Sequence, residues 1–266
     1  MTWSTTDDVH AFLAAAGGFL TADPVANTVL LTEAAYLAAR PADDPDQCYG
    51  WWQPDGGAVA GAFLRAPRHP PILSAMPDDA LVALAEFDPK LPPLGVDAQL
   101  ADTAVEAWRA MGVELAERSR VRLYRLDRLR APMPPPGRPR VADEGDRDLL
   151  GSWYEALMAA HPDDPSDRAY VVDDPLAQGG ITLWEVDGAP VAMAGRSRVV
   201  AGMTRLSAVY AAEDPRHGDA AFVAACAAAQ RVATDVLVFA DATDHAADGA
   251  YLRWGFVPVL DRVTIG

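Results

Sequence analysis

A short turn and the helix after it carry residue types that could bind an anion. The turn is AAEDPRHGD, residues 211–219, and an Ala-rich run, AAFVAACAAAQ, follows it. Free N–H groups and the positive end of the helix dipole meet at such a terminus, and Gly218 keeps a Cβ away from a close ligand. Arg216 and His217 add positive charge, whereas Asp219 adds a carboxylate that would repel a phosphate. A plain strand-to-helix connection with Asp219 as N-cap is the alternative.

A second polar group could hold a divalent metal. Asp241, Asp244, His245 and Asp248 recur at i, i+3, i+4 and i+7, so within one helix they would share a face. Carboxylates and imidazoles are common ligands of divalent metals. The alternative is that Asp241 ends a strand and that Asp244 or His245 caps the next helix. We favour this alternative, so no metal site is predicted.

These residues lie in a predicted strand, helix, strand, helix, strand series between Met203 and Val259. Its first strand, LSAVY, ends at Val209 and Tyr210, and Tyr251 lies on its second helix. A core aromatic on an amphipathic helix is one interpretation of Tyr251. Upstream, the sequence predicts a helix, DRDLLGSWYEALMAAH, and a hairpin, ITLWEV and PVAMAGRSRV around a DG turn.

The first half of the chain shows a similar order. The pattern predicts a helix interrupted at Gly17-Gly18, a second helix from Asp23-Pro24, a hairpin around PDGG, and then alternating strands and helices. The whole chain is therefore predicted to be α/β. A Pro-rich stretch, residues 131–140, indicates a semi-rigid linker. It predicts an N-terminal domain over residues 1–130 and a second domain over residues 141–266.

Composition narrows the possible partners. The chain has 266 residues, half of them hydrophobic, with a formal net charge of −16. So acidic a surface disfavours nucleic acid and anionic lipid and would attract a cationic amine, although it could simply keep the protein soluble. Two distant cysteines, Cys48 and Cys226, make no disulfide framework. Neither a signal peptide nor an apolar run of ~20 residues is visible, so a cytoplasmic protein is expected.

Several segments together resemble the GCN5-related N-acetyltransferases (GNAT). The resemblance is specific at AVY, at FADATDHAADGAYLRWGFVPV and, in the first half, at GFLTADPVANTVLLT, YGWWQPDGGAVAGAFLR and RLYRLDRL. It implies two tandem GNAT-like domains of the actinobacterial type, each a mixed, mostly antiparallel sheet flanked by helices. The first half has no acyl-CoA turn at the equivalent place, which implies a degenerate first domain.

The resemblance also implies acetyl-CoA, or another acyl-CoA, as a co-substrate. Its pantetheine arm would pair with the end of the splayed strand, and its pyrophosphate would meet the turn and the following helix. Tyr251 matches the tyrosine that protonates the departing thiolate in many members, and Glu185 is the available strand glutamate for a general base. The implied acyl-CoA-binding residues are Val209, Tyr210, Arg216, His217, Gly218, Asp219, Ala220, Asp244 and Asp248.

The turn departs from the family pattern, which is roughly Gln/Arg-x-x-Gly-x-Gly/Ala. Alignment on Gly218 leaves Asp214 or Pro215 at the first position and His217 where Arg is common. For Glu185 a solvent-facing role is the alternative. Trp51, Trp52, Trp153 and Tyr154 are candidates for an acceptor pocket, with packing as their alternative role.

Two functions follow from this sequence. The first is an N-acyltransferase in which the amine of a small molecule attacks an acyl-CoA directly. The second is a GNAT-like protein that has lost acyl-CoA use and binds a ligand, regulates, or catalyses another reaction in the same cleft. The acidic turn separates them, because Asp214 and Asp219 stand where neutral or basic residues are expected.

Overall fold

A computed structural model describes residues 2–41, 44, 46–162 and 164–266. The protein is α/β, with mixed, mostly antiparallel sheets flanked by helices, as the sequence predicts. Internal contacts group the residues into two compact units. The first unit comprises Met1–Leu123, Ala240–His245 and Val259–Gly266, and the second comprises Tyr124–Phe239 and Ala246–Pro258.

The first part of the chain contains six strands and four helices among its described residues. In chain order they are β1 (Thr2–Thr6), α1 (Val9–Ala22), α2 (Thr28–Ala39), β2 (Cys48–Gln53), β3 (Gly61–Arg65), β4 (Ile72–Leu73), α3 (Asp78–Phe87), β5 (Leu94–Asp97), α4 (Ala101–Ala110) and β6 (Glu117–Leu126).

The remainder contains another six strands and four helices among its described residues. They are β7 (Arg138–Val141), α5 (Arg147–Ala160), α6 (Asp174–Ala177), β8 (Ile181–Val186), β9 (Ala189–Arg196), β10 (Met203–Ala211), α7 (Pro215–Ala229), β11 (Asp235–Asp241), α8 (His245–Trp254) and β12 (Phe256–Ile265). A π-helical turn, Ala169–Asp173, precedes α6.

Among the described residues, the strand pairs given for the first unit are antiparallel except β4 with β5. β1, β2, β3 and β4 pair antiparallel in that order, β4 pairs parallel with β5, and β5 pairs antiparallel with β12. Its apolar core packs α3 and α4 against these strands. Within it, the indole Nε1 of Trp3 donates to the carbonyl of Ala80 at 2.9 Å, which ties β1 to α3.

Arg262 of β12 is buried in the first unit. Its Nη2 donates to the carbonyls of Leu73 at 2.8 Å and Gly95 at 3.0 Å, so one guanidinium joins β4 to β5. Burial lowers the pKa of Arg262 to about 10, against a smaller opposing effect of Asp97. The guanidinium of Arg262 therefore satisfies backbone carbonyls of both strands at the end of the parallel pair.

The sheet of the second unit repeats this arrangement. β7, β8, β9 and β10 pair antiparallel in that order, and β10 pairs parallel with β11. The order of strands and principal helices from β1 to β6 is also the order from β7 to β12. The two halves therefore share the similar order of elements that the sequence predicts.

Two local predictions are wrong, and one strand was not predicted. α1 continues through Gly17-Gly18 without interruption, because the Asp8 cap and the apolar face of Phe12, Ala16 and Leu20 outweigh the low helix propensity of glycine. α2 starts at Thr28 rather than at Asp23, and an Asp23–Asn27 turn precedes it. The sequence also did not predict β1, whose residues alternate only weakly between buried and exposed.

The domain division at residues 131–140 stays a prediction. In the structure part of that segment is β7, since Arg138–Val141 pairs with β8. None of the described helices combines the length and apolar composition needed to cross a membrane.

Candidate functional site

Strand β10 changes direction where the sequence places the end of the central strand. Its parallel pairing with β11 runs from Met203–Asp235 to Leu206–Val238 and stops there among the described residues. On the other side its register with β9 shifts between Ser207 and Tyr210, so two residues face one. This is a β-bulge, which bends a strand and re-aims its groups. The backbone beyond Leu206 is thus left without a strand partner on the β11 side.

Ala208 stands at the centre of the bulge. Its φ is +51°, in the left-handed region that costs a residue with a Cβ about 1 kcal/mol. Val209 is 38% exposed, and the ring of Tyr210 packs against Trp153 at a centroid distance of 5.5 Å. Of the two predicted pantetheine-binding residues, Val209 therefore presents side chain to solvent, and Tyr210 turns its ring into the α5 side of the unit.

The N-terminus of α7 is closed by a carboxylate of its own chain. The Oδ1 of Asp214 accepts the backbone N–H of Arg216 at 2.9 Å, and its carbonyl accepts the N–H of His217. The side chain of Arg216 also donates to both carboxylate oxygens of Asp214, at 2.7–3.1 Å. The Arg216 bonds lower the pKa of Asp214 to about 2. The Asp214 carboxylate thus already occupies the helix terminus at which the pyrophosphate of acyl-CoA is expected.

Asp219 is not the N-cap, because α7 starts at Pro215 and Asp214 caps it. Partial burial raises the pKa of the Asp219 carboxyl, and Arg253 opposes that shift. Gly218 is buried, and a Cβ placed on it would lie 3.4 Å from Val209 Cγ1 and from the Ala211 Cβ. Gly218 therefore lies against the end of β10, with room for an ordinary van der Waals contact between them.

A groove of about 510 Å³ runs along α7 from this terminus. One wall is the Pro-rich segment from Leu129 to Pro135, and the other is a face of α7 that includes Arg216, Asp219 and Ala220. Three of the predicted acyl-CoA residues therefore share one concave surface. His217 belongs to the same first turn but does not line the groove.

Tyr251 lies in an aromatic cluster. Its ring is 5.5–5.8 Å from the rings of Tyr124, Phe222, Trp254 and Phe256. Phe222 is four residues after Gly218 on α7, so the two share a helix face. Because Gly218 touches the end of β10, Tyr251 packs on the helix face that also contacts the bulged strand. Both the packing and the chemical interpretation of Tyr251 are compatible with this position.

The two predicted aspartates near α8 have separate surroundings. The hydroxyl of Tyr124 donates to Asp248 in the first turn of α8. Asp244 lies in the exposed turn after β11, where Asp241 accepts the Thr243 N–H at 2.7 Å. Asp241 ends a strand, so the helical spacing assumed for a metal site does not exist. This agrees with the part of the alternative that places Asp241 at a strand end, and the capping role of Asp244 or His245 stays a prediction.

Glu185 is buried in an ion-pair network. Arg140 and Arg138 both donate to its carboxylate, and they lower its pKa, Arg140 most strongly. Arg140 also bridges to Asp146 at 2.6 Å. The solvent-facing alternative is wrong, since the side chain is only 7% exposed. Its catalytic role stays a prediction, and the network favours a structural role, because a carboxylate held ionised is a weak base.

The bulge borders a second cavity, of about 290 Å³. It is lined by Ser207, Ala208 and Val209 from β10 and by side chains near the end of α5, including His161, Asp164, Ser166 and Tyr170. The sequence did not single out these polar residues: His161 ends the predicted helix, and the other three lie in a segment, PDDPSDRAYVV, without any periodic pattern. The signal that could have drawn attention to them is a histidine at the C-terminus of a helix followed by acidic loop residues.

The aromatic candidates for an acceptor pocket mostly pack. Trp52 is buried in the core of the first unit, and Trp51 is half-buried. Trp153 belongs to the core of the second unit, and the Tyr154 hydroxyl donates to the Ser166 carbonyl at 3.0 Å. Tyr154 therefore braces the loop beside the second cavity.

The fold is that of GNAT acetyltransferases. A GCN5-related N-acetyltransferase from Sphaerobacter thermophilus superposes with a TM-score of 0.63, covering 99% of this chain and 94% of that chain at 15% identity. A GNAT-family acetyltransferase from Colwellia psychrerythraea gives a TM-score of 0.58, with complete coverage of both chains at 8% identity.

The likeness extends to proteins with two such domains. A tandem GNAT protein from the clavulanic acid biosynthesis pathway superposes with a TM-score of 0.53, covering 99% of this chain and 97% of that chain at 12% identity. The predicted fold of two tandem GNAT-like domains is confirmed. No protein-family model and no curated protein sequence matches the chain. At these identities the likeness establishes the fold, and the chemistry must be argued from the site.

Proposed function

We propose that the second unit is an acyl-CoA-dependent N-acyltransferase that acylates a small-molecule amine by direct attack. The observation that carries this proposal is the separation of β10 from β11 after Leu206 together with the bulge at Ala208. Strand backbone left without a partner requires hydrogen bonds from elsewhere. The amides of a pantetheine arm supply both donors and acceptors along an extended chain, as an added strand would.

The chemistry assigned to the site needs three groups. A backbone N–H of the segment from Ala208 to Tyr210 would stabilise the negative charge that develops on the thioester oxygen. The amine nitrogen attacks the carbonyl carbon, the C–N bond forms, the C–S bond breaks, and the nitrogen loses one proton to solvent. The Tyr251 hydroxyl donates a proton to the leaving thiolate and recovers one from solvent. The groove along α7 is large enough for part of the nucleotide end of acyl-CoA.

One observation favours the second candidate function, a GNAT-like protein that does not use acyl-CoA. The Asp214 carboxylate bonds the N–H and the guanidinium that a pyrophosphate would use. Binding a pyrophosphate there requires Asp214 to turn away and Arg216 to change partner. If that exchange costs more than the phosphate contacts return, the splayed strand serves another ligand.

Calorimetric titration of the purified chain with acetyl-CoA at modest salt separates the two functions. Micromolar binding supports acyl-CoA use, and absence of heat at millimolar acetyl-CoA contradicts it. Tyr251→Phe should then lower turnover about 100-fold while leaving the acetyl-CoA affinity unchanged. Tyr124→Phe is the matched control, because it removes a hydroxyl from the same ring cluster. Equal turnover in the two variants would remove the proton-donor role of Tyr251.

A further inference from the structure

The cavity beside the bulge combines apolar walls with a polar rim. Leu157, Met158 and Val171 supply the apolar part, whereas β10 supplies Ser207 and the backbone of the bulge. A volume of about 290 Å³ lies at the lower end of the range for small-molecule pockets. Its occupant must therefore be compact.

The end of α5 makes this cavity negative. His161 caps the helix C-terminus. Its backbone N–H donates to the carbonyls of Leu157 and Met158, both at 3.1 Å. A helix C-terminus carries partial negative charge. The Asp164 carboxylate adds a full negative charge, and its Oδ1 accepts a hydrogen bond from the backbone N–H of Ser166 at 2.9 Å. A cation is favoured at such a position, and the net charge of −16 adds to the attraction.

Another lining residue, Tyr170, is held in place by a hydrogen bond. The Tyr170 hydroxyl accepts a hydrogen bond from Nη2 of Arg205 at 2.8 Å. Arg205 does not line the cavity, and its guanidinium also lies 5.8 Å from the centre of the Phe239 ring. Besides Tyr170, the ionisable side chains among the described lining residues are the Asp164 carboxylate and the His161 imidazole.

We infer that this cavity is the acceptor site and that it takes a compact primary amine with an apolar body. The inference rests on the proposed function. Asp164 binds the ammonium group, and the neutral imidazole of His161 accepts one of its protons. The freed amine lone pair forms the C–N bond as the C–S bond breaks, and the nitrogen then releases its second proton to water. The thiolate takes a proton from Tyr251, which recovers one from water, and the imidazolium of His161 returns its proton to water. The sum is acyl-CoA and an ammonium ion giving an amide, CoA thiol and one proton.

Amine binding can be measured without acetyl-CoA, which keeps this test separate from the proposed function. The probes are n-hexylamine, benzylamine and 2-phenylethylamine, observed by saturation-transfer NMR with the full chain, and 2-phenylethanol is the neutral analogue. We expect Asp164→Asn to weaken binding of the best amine about tenfold, because a hydrogen bond to a charged group is lost. Binding of the alcohol should not change.

Asp148→Asn is the control for net charge. It removes the same charge from the exposed first turn of α5, and Asn at position 164 retains the oxygen that holds the Ser166 N–H. Binding of none of the three amines, or equal weakening by both substitutions, would overturn the inference. Matching thermal unfolding midpoints verify that the variants are folded.

The role of His161 is tested in the complete reaction. With acetyl-CoA and saturating amine, His161→Gln should lower turnover about 100-fold at an unchanged amine affinity. Unchanged turnover overturns the role of the imidazole. If acetyl-CoA does not bind but the amines bind through Asp164, the proposed function fails and the amine site is retained. If acetyl-CoA binds and reacts with amines independently of Asp164, the inference alone fails.

Discussion

Among the described residues, a parallel strand pair is found in each unit, and the two pairs end in different ways. In the first unit, β4 meets β5 at Ile72–Gly95, and the Arg262 guanidinium bonds carbonyls of both strands. In the second unit, β10 leaves β11 after Leu206 and continues through a bulge that borders a cavity. The order of elements is the same in both units. The buried Arg262 side chain occupies the end of the parallel pair in the first unit, whereas the bulge in β10 leaves the end of the pair in the second unit available to a ligand.

The largest expected effect concerns Arg262. Arg262→Ala removes two hydrogen bonds to buried carbonyls and leaves a cavity, which should destabilise the first unit by about 3 kcal/mol. Urea unfolding combined with hydrogen exchange of peptides from β4 and β5 measures this. Arg109→Ala is the control, since its ion pair with Glu114 is exposed and worth about 0.5 kcal/mol. A cost below about 1 kcal/mol for Arg262→Ala would mean that the arginine does not hold the strand end together.

The next effect tests whether the second strand end is limited by Asp214. Asp214→Asn preserves a helix cap and removes the carboxylate from the Arg216 guanidinium. We expect acetyl-CoA or inorganic pyrophosphate to bind about tenfold more tightly by calorimetry. Glu213→Gln removes an equal charge one residue earlier, outside the cap, and should change binding less. No gain with Asp214→Asn would show that self-capping does not control anion binding.

A smaller effect is expected at the bulge. Ala208→Gly should stabilise the protein by about 0.5 kcal/mol, because glycine adopts the positive φ without strain. Ala211→Gly, on the paired part of β10 opposite Ala192, should instead destabilise it by a similar amount. Thermal unfolding of both variants measures the difference. Destabilisation by both substitutions would show that Ala208 is not strained.

The smallest effect is the titration of Asp214. Its pKa in the folded protein is about 2, below the usual ~3.9 of an unfolded aspartate. The ionised form therefore stabilises the fold, with the full contribution present above about pH 4 and lost as the pH falls through about 2. Carboxyl ¹³C NMR should report this midpoint, and Arg216→Gln should raise it. A midpoint near 4 in the unmodified protein would contradict the ion pair.

Sequence patterns predicted most of the architecture because strand and helix periods are local. The hairpin β2–β3, the pair β8–β9 and the helix–strand alternation after Met203 all follow from residues close in the chain. The α/β class and the tandem GNAT fold are confirmed.

The details of the site could not be predicted, because they depend on tertiary neighbours. Self-capping by Asp214 instead of Asp219 is a choice between two nearby carboxylates that only the helix start decides. The burial of Glu185 depends on Arg138 and Arg140, which reach it only because β7 pairs with β8. The bulge at Ala208 carries no glycine to mark it in the sequence.

The last strand has a consequence for how the first unit folds. Arg262 of β12 bonds Gly95 across a separation of 167 residues, and β12 covers the edge of β5. When only β1 to β5 have been synthesised, the edge of β5 is unpaired, and the carbonyls of Leu73 and Gly95 lack the Arg262 guanidinium that bonds them in the complete protein. Closing so long a loop is slow, and exposed edges invite pairing with other chains. The first unit to be synthesised is thus completed only when β12 has left the ribosome, and a fragment that lacks β12 should aggregate.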